Sequence, residues 1–102
     1  MRSPYQTAPA KSSARVPLTP LQQRYYQEIG RRVGEARVAA GLSRADVADL
    51  ATATDPTCNR SAVQNIEDGR NRVPVDRLYA VARALRLPLA SLLPSAGEAV
   101  AR

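Results

Sequence analysis

Arg60, Ser61, Gln64 and Asn65 fall at i, i+1, i+4 and i+5, the spacing that sets four side chains on one face of a helix. Arg, Gln and Asn can each make two parallel hydrogen bonds to a base edge in the major groove of DNA. The stretch that carries them, Asn59 to Gly69, has its own start and stop. Asn59 can accept a bond from a free backbone N–H at the amino end, and Gly69 can take the left-handed conformation that ends a helix. Ala62, Val63 and Ile66 supply the opposite face for burial. A helix shaped only for solubility would be richer in Glu and Lys.

The elements that must position this helix are legible from caps and periodicity. Thr19-Pro20-Leu21-Gln22 combines a capping Thr, Pro at the first helical position and a Gln that completes a capping box. Leu21, Tyr25, Ile29, Val33, Ala36 and Ala40 then recur every three or four residues until Gly41, predicting one helix of about 20 residues. Its outer face sets Arg24, Arg31, Arg32 and Arg37 against Glu28 and Glu35, a pattern suited to i,i+4 pairing. Gly41-Leu42-Ser43 breaks the chain. Ser43, with Asp46 three residues on, starts a short second helix through Ala45, Val47, Ala48 and Ala51. Thr52 to Cys58 is turn chemistry around Asp55-Pro56. After the third helix, Pro74 opens a fourth with Leu78, Val81, Ala82 and Leu85 on its buried face, and Pro88 begins a fifth through Leu89, Leu92 and Leu93 before Pro94. The expectation is an all-α fold of five helices over residues 20–94, with a basic, disordered arm at 1–19 and a flexible tail at 95–102.

Composition narrows the chemistry. At 102 residues the chain is one domain, and with no Phe or Trp its core must come from Leu, Val, Ile and Ala, which suits a helical bundle. There is no His, which removes the commonest general base and the commonest metal ligand, and the single Cys58 can form neither an internal disulfide nor a Cys/His zinc site. No catalytic residue, metal or cofactor is expected. The amino terminus lacks a secretory signal and no run of 18 apolar residues occurs, so the reading is a cytoplasmic protein without a membrane partner.

The net charge of +6 favours a polyanionic partner. It is unevenly spread. Ser43 to Asp68 carries five carboxylates against Arg44 and Arg60, so positive charge must come from the arm, the first helix and residues 70–86. The arm, with Arg2, Lys11 and Arg15, is either a solvated tail, a strand that follows phosphates or a minor groove, or a segment that folds onto a protein partner.

An ordered set of pieces resembles the lambda-repressor/Cro-like family, also called the XRE family: Ile29-Gly30-Arg31-Arg32-Val33, Arg37, Gly41-Leu42-Ser43, Asp46-Val47-Ala48, Ser61 through Gly69, Val81 through Leu85, and Leu89 through Leu93. The resemblance implies a compact five-helix domain whose third helix, residues 60–68, lies in the major groove of double-stranded DNA. It implies base reading by Arg60, Ser61, Gln64 and Asn65, and phosphate binding by Ser43, Arg44, Arg70, Asn71 and Arg72. Glu67 is expected to bond back to Arg37. Three positions depart from the family pattern: Arg44 stands where Gln is common, the linker before the third helix is about five residues longer than usual, and Arg86 stands where a helix-ending Gly is common. Cys58 falls where the family puts a small apolar residue, so it reads as core, with redox sensing as the rival. Leu21, Tyr25 and Tyr26 extend the first helix and either enlarge the core or form a dimer seam. The implied function is a non-enzymatic, sequence-specific transcriptional regulator, a repressor acting as a homodimer on its operator and nucleoid-associated when bound. The alternative class is an antitoxin-like or adaptor module that binds protein.

Overall fold

A computed structural model describes residues 16–95. Residues 1–15 of the arm expected at 1–19, and residues 96–102 of the tail expected at 95–102, lie outside the described residues. The chain builds α1 (Pro20–Ala39), α2 (Arg44–Ala51), α3 (Arg60–Asp68) and α4 (Val75–Ala84), then a 3-10 turn at Leu89–Leu92. No strand occurs among the described residues, and no helix among them is long and apolar enough to cross a membrane.

Local bonds set the ends. The Gln22 N–H donates to Thr19 Oγ1 at 3.1 Å and the Thr19 N–H to Gln22 Oε1 at 2.9 Å, a closed capping box at the start of α1. Ser43 and Asp46 repeat it at the start of α2, at 3.0 and 2.9 Å. These bonds hold the Asp46 carboxyl below the usual carboxylate range, the Ser43 backbone N–H being the larger cause. Gly41, with φ of 73°, ends α1, and the Leu42 N–H reaches back to the Arg37 carbonyl at 3.1 Å.

The expected fifth helix is not an α-helix. Pro88 and Pro94 leave five residues between them, too few to close repeated i→i−4 bonds. The segment forms i→i−3 bonds instead, Ser91 N–H to Pro88 O at 3.0 Å and Leu93 N–H to Ala90 O at 3.2 Å. The architecture is therefore four α-helices and one 3-10 turn, with Leu92 still buried in the core.

The missing Gly after α4 has a structural consequence. Arg86 itself adopts φ of 58°, and the Leu87 N–H bonds to Ala82 O at 2.9 Å, so an ordinary residue occupies the left-handed position of the helix end. That conformation costs a residue with a Cβ about 1–2 kcal/mol. Arg86→Gly is expected to raise stability by about 1 kcal/mol, less whatever the unfolded chain gains in freedom. Urea denaturation of the two proteins measures it, and an unchanged midpoint would refute the strain.

The helices form a closed circuit. α1 packs on α3, α3 on α2 and α2 on α4, and the 3-10 turn meets both α4 and α1. Ile29, Val33, Val47, Val63, Val81 and Leu92 are at most 1% exposed, each contributing roughly 1.5–3 kcal/mol of burial. Two glycines allow the closest crossing. A methyl group on Gly30 would lie 2.5 Å from the Ile66 carbonyl oxygen, and one on Gly69 would lie 2.6 Å from the Gln27 Cα. Backbone therefore rests on backbone where α3 crosses α1, which fixes the rotation of α3 about its axis.

Tyr25 and Tyr26 pack against the core, edge to face, with ring centroids 5.6 Å apart, whereas Leu21 remains 44% exposed. The extension of α1 enlarges the core through its tyrosines only.

Candidate nucleic-acid interface

α3 carries the sequence-predicted face outward. Ala62, Val63 and Ile66 are buried, while Arg60, Ser61, Gln64 and Asn65 are all exposed. The Ala62 N–H donates to Asn59 Oδ1 at 2.9 Å, and Gly69 closes the helix with φ of 68°. Nine residues span about 13 Å, and an α-helix with side chains, about 10–12 Å across, matches the width of the B-DNA major groove.

Glu67 anchors the carboxyl end of this helix. Its carboxylate accepts from Arg37 Nε at 2.7 Å and Nη2 at 3.2 Å, as expected, and also from Arg44 Nε at 3.1 Å. Arg37 further donates to the Leu42 carbonyl at 3.0 Å. The Glu67 side chain is only 7% exposed, so one nearly buried carboxylate ties α1, α2 and α3 together. Hydrogen bonding to Glu67 pushes the Arg37 guanidinium further up, keeping it charged.

The predicted phosphate-binding residues divide. Asn71 and Arg72, on the loop after α3, line a cleft with Asn65 of α3 and Arg77 of α4. Arg44 is joined to Glu67 and keeps a side chain 40% exposed. Ser43 is exposed, but its backbone N–H and that of Asp46 are engaged in the capping box, which places a carboxylate at the amino end of α2. Arg70 is exposed on the loop next to Asn71. The first helix supplies less outward charge than expected, because Arg31 pairs with Glu28 and Glu35, Arg32 pairs with Glu28, and Arg37 pairs with Glu67.

Two functional features had no sequence signal. Arg77 holds the long linker: its Nη2 donates to Thr57 Oγ1 at 3.1 Å, and its Nε lies 3.9 Å from Asp55 Oδ2. Asp55 in turn accepts from the Thr57 backbone N–H and hydroxyl, bonds that hold its carboxyl below the usual range. The linker before α3 is thus fastened to α4 by residues 20 apart in sequence. The second feature is Arg72, whose Nη1 donates to the Val16 carbonyl at 2.8 Å across 56 positions.

Cys58 is fully buried, and burial pushes its thiol up. The core reading is the one the geometry supports. Modification by a thiol reagent at pH 8 is expected to be at least about 100-fold slower in the native protein than in urea, since only the opened state presents a thiolate. Equal rates would show that this position is reachable in the folded state.

These features define a helix-turn-helix protein: a short polar-faced helix, held by a shorter one before it and enclosed by the remaining helices. The helix-turn-helix domain family matches residues 28–93, and the chain belongs to it, in the lambda-repressor/Cro-like group. It is a DNA-binding transcription regulator. Among solved structures it is similar to the restriction-modification controller protein C.AhdI from Aeromonas hydrophila, with 29% identity, a TM-score of 0.60, and coverage of 67% of this chain and 96% of that one. Comparison with curated proteins found no match.

Proposed function

We propose that the protein is a sequence-specific repressor that occupies an operator as a homodimer and denies polymerase access to the promoter. The observation that carries this reading is the outward face of α3: four hydrogen-bonding side chains exposed while every apolar residue that could hold the helix is buried. Arg60, Ser61, Gln64 and Asn65 read base edges, and Arg44, Arg70, Asn71 and Arg72 set position on the phosphates, with Ser43 contributing its hydroxyl. Arg77 joins this second group through the cleft it shares with Asn65, Asn71 and Arg72. The action is non-enzymatic and takes place on the nucleoid in the cytoplasm. The likeness to a restriction-modification controller protein supports a regulatory role.

Selection of bound sequences from a random DNA pool tests it. A recovered palindrome with half-sites about 34 Å apart is expected. Recovery of no preferred sequence would remove the specific-regulator reading, and a reporter activated by the protein would reverse the sign.

A further inference from the structure

We infer that the clamp formed by Asp55, Thr57 and Arg77 sets sequence choice: it fixes the amino end of α3, and with it the aim of Arg60, Ser61 and Gln64. The inference rests on the DNA-binding reading above and gives Asp55 and Thr57, which belong to neither the base-reading nor the phosphate group, a part in specificity.

α3 is held differently at its two ends. The last turn is pinned by backbone contact at Gly30 and Gly69 and by the Glu67 carboxylate between Arg37 and Arg44. In the first turn Ala62 and Val63 are buried, but apolar contact is non-directional and sets depth more than angle. Directional bonds reach this end through the linker. Residues 52–59 join α2 to α3, a connection long enough to allow several angles if it were loose.

The linker is bonded throughout. The Thr54 and Asp55 N–H groups both donate to the Ala51 carbonyl at 2.9 Å, the Cys58 N–H to the Asp55 carbonyl at 3.0 Å, and the Asn59 N–H to the Thr57 carbonyl at 2.9 Å. The Thr57 hydroxyl donates to Asp55 Oδ1 at 2.7 Å and accepts from Arg77 Nη2 at 3.1 Å. Arg77 Nε is shielded from water and has no hydrogen-bond partner, so the Asp55 carboxylate, 3.9 Å away, balances the charge there. Arg77 stands in the first turn of α4 beside Leu78, which is in the core, so the linker is tied to a rigid element. Thr57 precedes the cap Asn59 by two positions and Arg60 by three.

Magnitude decides that this tie matters. A tilt of about 10° about the last turn carries the first turn of a helix about 13 Å long through roughly 2 Å. Side chains that read a partner must be held within about 0.5 Å. Arg77 is thus a positioning residue for the readers as well as part of the phosphate cleft.

The test compares Kd on the selected operator and on a random duplex for the full chain, Thr57→Val, Asp55→Asn and Thr57→Ser. The ratio of the two constants cancels the charge change in Asp55→Asn. Thr57→Val and Asp55→Asn are each expected to lower the ratio at least about 5-fold, the equivalent of one weakened base contact, and Thr57→Ser, which keeps the hydroxyl, to preserve it. An unchanged ratio in Thr57→Val and Asp55→Asn, or equal losses on the two duplexes, would overturn the inference and leave the regulator reading intact. A parent chain without operator preference would instead overturn that reading. Arg77→Lys keeps the positive charge but not the fork that spans Thr57 and Asp55. Combined with Thr57→Val it is expected to lower the ratio by less than the product of the separate losses, and independent losses would show that the two residues do not act as one clamp.

Discussion

Glu67→Ala is expected to destabilise the domain by about 3 kcal/mol, the low end of the cost of leaving a buried charge without its partner. The low end applies because Arg37 and Arg44 are not equally enclosed: their side chains are 16% and 40% exposed, so water recovers part of the loss, most of it at Arg44. Removing the carboxylate leaves two guanidinium groups side by side and frees the end of α3 from α1 and α2. A double-mutant cycle in urea denaturation separates the partners. Strong coupling is expected for Glu67 with Arg37 and weaker coupling with Arg44, and independent, additive effects with Arg37 would show that the pair does not act as a unit. The same substitution loosens the rotation of α3, so cognate DNA affinity should fall even where most of the protein remains folded.

Arg60→Ala, Gln64→Ala and Asn65→Ala are expected to cost roughly 1–3 kcal/mol each on the selected operator, about 5- to 150-fold in Kd. The effect on random DNA should be small for Gln64 and Asn65, since an amide that reads a base edge contributes little to a phosphate backbone. Arg70→Ala behaves oppositely, weakening all sequences alike and lowering the salt slope by about 0.9. Titrations of cognate and random duplexes at several salt concentrations measure both. Equal losses on the two duplexes for Gln64→Ala and Asn65→Ala would remove their role as readers.

The helix ends that frame the candidate site were legible because their signals are short-range. Thr19 with Gln22, Ser43 with Asp46, and Asn59 with the Ala62 N–H are interactions across three positions, set by residue type before any tertiary contact forms. The outward face of α3 followed from the same logic, since Ala62, Val63 and Ile66 define the side that must leave water. The fifth helix was misjudged for a related reason: apolar spacing at Leu89, Leu92 and Leu93 announces burial but does not distinguish α from 3-10 geometry, which the flanking prolines decided.

The sequence by itself determined the helix starts, the buried stripes, the polar outward face of α3 and the unequal charge along the chain, all properties of neighbouring residues or of composition. Only the tertiary structure decided that Arg44 would share Glu67 with Arg37, that Arg77 would fasten the long linker, and that Arg72 would hold Val16. These pairs are separated by 20 to 56 positions, and any of several carboxylates or carbonyls would satisfy an arginine equally well on paper. The close passage of α1 over α3 at Gly30 and Gly69 brings Arg37 to Glu67, while the packing of α4 on α2 sets Arg77 beside the linker that leaves α2.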